Sequence, residues 1–560
     1  MAPGSPASAR TENEAFCHSL LNFELYPDNL PQEEKPKLVS IFKRHFHQAK
    51  DTITLIPPTS GFRRKLVLRT VDLLISDRGN PKHLEASEER ADEHITGISG
   101  PEVMKEFLGF KEHHDCSTQK TCSSASPFRS DPVVRFILVG TSAEGRLKIT
   151  SEMLLQILTY HHVCPSFLQF ISYNGSRPLT SGSDLLFGNL RCLKFFGGPD
   201  ATVNALGRSG HHYQLVFEIK TVFNPQDWRD AAAAEDEEAV WLWPIMKTTV
   251  YHRFDVVTGT SLWIITTGDE TTTRSAHVGP YDFRSVRNIV EVPDVKTETP
   301  ICKRFTRSLD VMEWLMEWSL SEYSSYIAFL DGELGRLTER YTLGVDGGTS
   351  TTMTDPELKK VGRMIQSMDQ LIVGLHANMR VYKALGTFYR SELFQDRELK
   401  KLKPEWITQS GGAPQRHAKN VASSLMNIHH QTNNMLERAT VVHLMGTKRQ
   451  DMVHRLIQSR NEQTTRDLSR ITQNDSSTMK VFSNITLVLL PMSVVSTVFT
   501  TGIVDFRGEP GFVGQWSAAA FVWWISVTAA ATLLVLGISV WKRRQLRLKD
   551  ALRASEHACP

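Results

Sequence analysis

Two uncharged stretches near the end of the chain, residues 481–504 and 510–541, constrain its fold more than any other feature. No side chain between Lys480 and Asp505 is charged, and beyond Glu509 none is charged until Lys542. A hydrocarbon layer about 30 Å thick is crossed by roughly 20 helical residues, and both stretches exceed that. In lipid, a helix satisfies its backbone hydrogen bonds within one segment. The residues around Asp505–Glu509 are too few to hold a domain. The pair therefore reads as a transmembrane helical hairpin, residues 481–503 and 516–541, with most of the mass outside the membrane. A hairpin buried in a soluble core is the competing reading. The tryptophans at 516, 523, 524 and 541 and the abrupt basic stop after Trp541 favour lipid.

Lys542, Arg543, Arg544, Arg547 and Lys549 follow the second stretch directly. An excess of basic residues marks the cytosolic side, so the C-terminus is expected there. Two spans place the N-terminal part there too, in a membrane the sequence does not specify. The basic tail, 542–560, anchors this topology and offers contacts to anionic lipid. The first residues lack the apolar run of a cleavable signal, so the first span is expected to act as the insertion signal. A formal net charge of +3 over 560 residues gives no case for a nucleic-acid partner. The seven cysteines are scattered and odd in number, as expected of reduced thiols.

The expected fold class is α+β, with a mixed α/β cytosolic domain, a coiled-coil-like stalk of long helices, and the C-terminal hairpin. Residues 1–60 form an N-terminal segment, disordered in part, and 61–300 the α/β domain. Within it, 77–131 reads as a flexible insertion, being polar with few large apolar residues. The apolar run 133–139 reads as a buried strand. In 213–220, Tyr213, Leu215, Phe217 and Ile219 alternate onto one face. Segments 248–257 and 261–267 flank Thr258-Gly259, a hairpin turn. Met153, Leu154, Ile157 and Leu158 predict a helix over 151–160.

Residues 301–480 read as the stalk. Spacing from Leu309 to Tyr341 predicts a first long helix, and Asp355-Pro356 starts a second. In the third, Val421, Leu425, Ile428, Thr432, Met435, Ala439 and Val442 step by fours and threes, a heptad seam. The seam weakens around Gly446, where a break is one option. Without one, the helix continues into the first span.

Met479-Lys480-Val481, Pro491, and two C-terminal spans behind three long helices resemble the CorA family of divalent metal-ion transporters. The segment 149–171 is similar to the N-terminal region of the fungal members. The resemblance implies a homo-oligomer, a pentamer in that family, around a pore lined by the first span. It also implies cytosolic domains that sense Mg2+, and divalent cations as transported and regulatory ions. The family's Gly-Met-Asn signature, preceded by an aromatic residue, aligns with Phe499-Thr500-Thr501-Gly502. The aromatic is kept, but the asparagine whose carbonyl binds the hydrated cation becomes Gly502, which has no side chain.

The first span is polar for a lipid-facing helix. Thr486, Leu490, Ser493, Thr497 and Thr500 (or Thr501) recur at heptad spacing, and Met479 and Phe482 extend the face. Hydroxyls suit a hydrated cation, because Mg2+ dehydrates reluctantly. Met479, Phe482 and Leu490 would form apolar rings that close by dewetting. The competing reading is a helix-packing face, since Ser493/Thr497 and Ser496/Thr500 are small-xxx-small pairs. Asp505 and Glu509 would attract cations by their field, or stand as solvated loop charges. His113, His114, Cys116 and Cys122 match no zinc spacing, adjacent histidines diverge, and neither a phosphate loop nor a hydrolase motif is present. The expectation is a non-enzymatic divalent-cation channel or transporter with no resident cofactor and no assignable metal ligands. The alternative is a transport-inactive receptor, regulator or scaffold on the same frame.

Overall fold

The computed structural model describes residues 16–29 and 104–108 in part, 68–73, 95–98, 131–172 apart from 142–146 and 148, 190–196, 202–223, 243, 245–269, 300–342, 355–500 and 518–556. Its first compact unit ends at Asp451 and the second runs from Met452.

The first unit is built on a seven-stranded sheet: β1 (Leu68–Leu73), β2 (Ile95–Ile98), β3 (Val134–Thr141), β4 (Leu190–Phe196), β5 (His212–Val222), β6 (Ile245–Asp255) and β7 (Ser261–Asp269). Their order is β2-β1-β3-β7-β6-β5-β4. Only β3 and β7 pair in parallel; the other neighbours are antiparallel. The strand β2 falls within the expected insertion 77–131, most of which lies outside the described residues. A four-residue strand with a central glycine is too short to show periodicity, and Met104 and Leu108 nearby are buried.

The β6–β7 hairpin forms at the expected turn. The Asp255 carboxylate accepts the backbone N–H groups of Val257 and Thr258 at 2.9 and 3.0 Å. Gly259 has φ 72°, and a Cβ there would also meet Ile301 and Arg304 at 3.2 and 3.1 Å. Only glycine suits both the left-handed backbone and the close approach.

Strand alternation assigns the two faces of the sheet. Ile137, Val139, Val216, Tyr251, Leu262 and Ile264 share one face and pack in a core with α1 (Ser151–Tyr160) and α2 (Phe167–Ser172). Thr150 caps α1 by accepting the Met153 N–H at 3.2 Å. The opposite face carries Tyr213, Leu215, Trp263 and His252, and receives the helices α3 (Pro300–Leu320), α4 (Tyr323–Thr342) and α5 (Asp355–Thr387). Ser308 of α3 bonds His252 at 3.0 Å, and Phe305 meets Phe254 edge-on. The single helix expected over 309–341 is therefore two, because the backbone turns at Ser321-Glu322. After α5 come a π-helical turn (Phe388–Glu392), α6 (Arg397–Leu402), α7 (Glu405–Gln409), α8 (Ala413–Thr500) and α9 (Ala518–Glu556).

A side chain of α5 also ties the helices to the sheet. At Lys220, past the last residue of β5 paired with the described part of β4, Asn378 of α5 stands in for a strand. Its Oδ1 accepts the Lys220 N–H at 2.8 Å, and its Nδ2 donates to the Lys220 carbonyl at 2.8 Å. A buried backbone group left without a partner costs about 1–3 kcal/mol. Asn378→Ala orphans the Lys220 N–H, while the carbonyl keeps the Tyr323 hydroxyl at 3.0 Å, and is therefore expected to lower stability by about 1–3 kcal/mol in urea unfolding. A loss below about 0.5 kcal/mol would show that the sheet edge finds other partners.

The seam of α8 holds, with Val421, Leu425, Ile428, Thr432, Ala439 and Val442 all buried. Leu436 replaces Met435 in it, which shifts the spacing toward that of a straight helix. The helix runs antiparallel to α5: Gly386 lies against Ala422 and Met426, Asp369 bonds His443 at 2.9 Å, and Gly362 approaches Gln450. No break occurs at Gly446. A Cβ there would lie 2.7 Å from Leu334 of α4 and 3.5 Å from Ile365 of α5. The glycine lets three helices approach rather than ending one.

Candidate functional site

The second unit contains the rest of α8 and all of α9. Both helices are long and apolar enough to cross a membrane, with 6% and 0% of their apolar windows buried. The second does not end at the basic residues: α9 stays helical through Lys542–Lys549 to Glu556.

On α8, one turn per 3.6 residues places Met479, Phe482, Thr486, Leu490, Ser493, Thr497 and Thr500 within an arc of about 80°. The expected stripe is thus a single face of one continuous helix. Met479 and Phe482 are 71% and 62% exposed in the isolated chain. The hydroxyls have a shared geometry. Thr486 donates to the Phe482 carbonyl at 2.8 Å, Ser493 to Leu490 at 2.9 Å, and Thr497 to Ser493 at 2.7 Å. The helix itself takes up each hydroxyl hydrogen. Toward anything outside the helix these oxygens act only as acceptors, which suits water molecules polarised by a cation. Pro491 lies inside the helix and has no N–H to offer the Leu487 carbonyl.

Phe499 and Thr500 end α8. Thr501, Gly502, Asp505 and Glu509 lie outside the described residues, as do His113, His114, Cys116 and Cys122. Among the described residues no group of three or more His, Cys, Asp or Glu is placed to hold a metal.

A dense polar cluster among the described residues of the first unit is structural. Asp131 pairs with Arg208 at 2.5 Å and Arg253 at 3.6 Å. Burial alone would raise the Asp131 pKa, but the guanidinium of Arg208, then Arg135 and Arg253, hold it below the usual carboxylate value. Arg208 and Arg253 also donate to the carbonyls of Tyr160 and His161, both at 2.6 Å. His161 and His162 end α1, His162 at φ 49°. They do not converge on a common point, and burial, then the neighbouring arginines, keeps both neutral.

The family of CorA-like transporters matches residues 60–342, the sheet and the helices α3 and α4. No curated protein matches the chain. Among solved structures, the CorA magnesium transporter from Methanocaldococcus jannaschii is similar over 73% of this chain and 90% of its own, at 10% identity and a TM-score of 0.34. The full-length CmaX protein is similar over 60% and 74% respectively, at 14% identity and a TM-score of 0.20. The family match takes in just over half of the chain (283 of 560 residues), and the protein belongs to the CorA-like transporter family, integral membrane proteins that are transporters rather than enzymes.

Proposed function

We propose that the protein conducts divalent cations of the Mg2+ type along an axis lined by α8 in a homo-oligomer, a pentamer as the family resemblance implies. The observation that carries this reading is the hydroxyl face of α8, whose hydrogens are taken up by the helix so that acceptor oxygens point outward. A hydrated Mg2+ presents water hydrogens, and an acceptor-lined wall meets them without stripping the shell. Met479, Phe482 and Leu490, at intervals along the same face, supply the apolar rings that close the path. Both termini lie on the cytosolic side, with the basic residues of α9 after Trp541 holding that orientation.

Purified full-length protein in liposomes loaded with a Mg2+-sensitive dye tests the reading. Wild type is expected to admit Mg2+, and Ser493→Leu or Thr497→Leu to cut the initial rate at least ten-fold. Influx no faster than in protein-free liposomes would overturn transport. It would then favour a transport-inactive receptor or scaffold, the reading supported by the loss of Gly-Met-Asn at Phe499-Thr500-Thr501-Gly502.

A further inference from the structure

The described residues among 16–29 form a small unit closed on itself. The backbone N–H groups of Asn22, Leu25, Tyr26 and Asp28 bond the carbonyls of His18, Asn22, Phe23 and Leu25 in turn. Asn29 fastens the ends. Its carbonyl accepts the Ser19 hydroxyl at 2.6 Å, and its Nδ2 donates to the carbonyls of Ser19 and Asn22 at 3.1 Å.

This unit meets the domain at the C-terminal end of α1. Asn29 donates to the Thr159 hydroxyl at 3.2 Å, and the Tyr26 hydroxyl to the Val163 carbonyl at 2.7 Å. The Phe16 ring stands edge-on to the rings of Tyr160 and His162, with centroids 5.9 and 5.5 Å apart, and the Arg208 guanidinium lies over it at 5.9 Å. Phe16, Leu20 and Tyr26 are buried in the core with α1 and α2. A segment closed within itself and docked through a few side chains can open without the sheet.

The charges around His162 supply the second observation. Its Nε2 is buried with no hydrogen-bond partner among the described residues. Arg208 and Arg253 act on it, with His161 and His212 nearby, and Asp131 is the opposing carboxylate, already paired with both arginines. From the unit docked on it, His162 receives Phe16, while the titratable His18, Glu24 and Asp28 are exposed. A proton on His162 thus adds a cation beside two others and finds no acceptor.

We propose that the 16–29 unit is an acid-released strap, docked on α1 while His162 is neutral and freed when His162 takes up a proton. Burial, then the charges of Arg208 and Arg253, lowers the His162 pKa from 6.5 to about 3 with the strap in place. Once the strap lifts, the ring meets water and returns to about 6.5. Docking is therefore complete above pH 6.5 and weakens as pH falls toward 3. From pH 7.5 to 5.5 the open population rises about ten-fold. Release uncovers the α1 surface beneath Phe16, Leu20 and Tyr26, so acidification changes this face of the domain whether or not the protein conducts ions.

Hydrogen exchange read by mass spectrometry on the full-length protein in detergent tests this, with rates divided by those of the unfolded chain at each pH. In wild type, opening around Leu20–Tyr26 is expected to rise about ten-fold between pH 7.5 and 5.5 while β5 stays protected. His162→Gln should hold that rise under two-fold. Phe16→Ala, which removes the ring against His162, should raise opening at pH 7.5 at least five-fold. Equal rises in wild type and His162→Gln would overturn the proposal. So would β5 opening in step with the strap, which is unfolding of the whole unit. A strap in Phe16→Ala as protected as in wild type would overturn it too, because the contact with His162 would then hold nothing.

Discussion

Glu218→Gln or Lys220→Met alone is expected to lower the stability of the first unit by about 3–5 kcal/mol, among the largest effects any single substitution there should have. Both side chains are fully buried, two residues apart on β5 and thus on the same face, and they form an ion pair. Lys247 of β6 stands directly across from Lys220 in the register. Removing the carboxylate leaves a buried ammonium facing a second lysine position, and water cannot reach it to compensate. Replacing both partners by methionine removes the desolvation cost together with the attraction, so Glu218→Met/Lys220→Met is expected to fall within about 1 kcal/mol of wild type. Urea unfolding of the full-length protein in detergent, read by the fluorescence of buried Trp263, measures all three. Single variants that each cost under about 1 kcal/mol would mean that the pair is solvated or relaxes freely.

Strong periodicity made much of this fold legible in the sequence. β5 declared itself through Tyr213, Leu215, Phe217 and Ile219, the β6–β7 hairpin through Thr258-Gly259, and α1 and the first part of α8 through apolar spacing. The parts that stayed hidden are those decided by tertiary contact. β2 is four residues long and exists by pairing with β1. The turn at Ser321-Glu322 has neither proline nor glycine to mark it, and the helix α3 ends there because α4 must redirect along the sheet. Gly446 looked like a helix breaker, yet its lack of a side chain serves the approach of Leu334. Asn378 lies 158 positions from Lys220, whose backbone it completes, and no local pattern announces such a partner.

The site divides in the same way. The hydroxyl stripe on α8 was readable because a helix turns spacing into a face. What spacing does not supply is the direction of each hydroxyl hydrogen. That follows from the backbone carbonyl one turn back, and it decides whether the face donates or accepts.

Acidification is expected to destabilise the first unit between about pH 6.5 and pH 3, with His252 a principal cause. His252 is fully buried, stacked on Trp263 with ring centroids 3.9 Å apart, and bonded through Nε2 to Ser308 at 3.0 Å. Burial lowers its pKa from 6.5 to about 3. The folded protein therefore holds it neutral, whereas the unfolded chain takes up a proton below about pH 6.5. Its contribution is complete above that value and is lost progressively as pH falls toward the folded value. At about 1.4 kcal/mol per unit, the shift corresponds to at most roughly 4–5 kcal/mol. Burial, followed by nearby arginines, also lowers the pKa of His161 and His212, so they add to the same slope. His252→Phe keeps the stack on Trp263 but cannot titrate. Its cost at pH 7 is the lost bond to Ser308, about 1 kcal/mol. Between pH 7 and pH 4 it should lose markedly less stability than wild type. Parallel stability curves for the two proteins across that range would show that His252 is already protonated, or solvated, in the native fold.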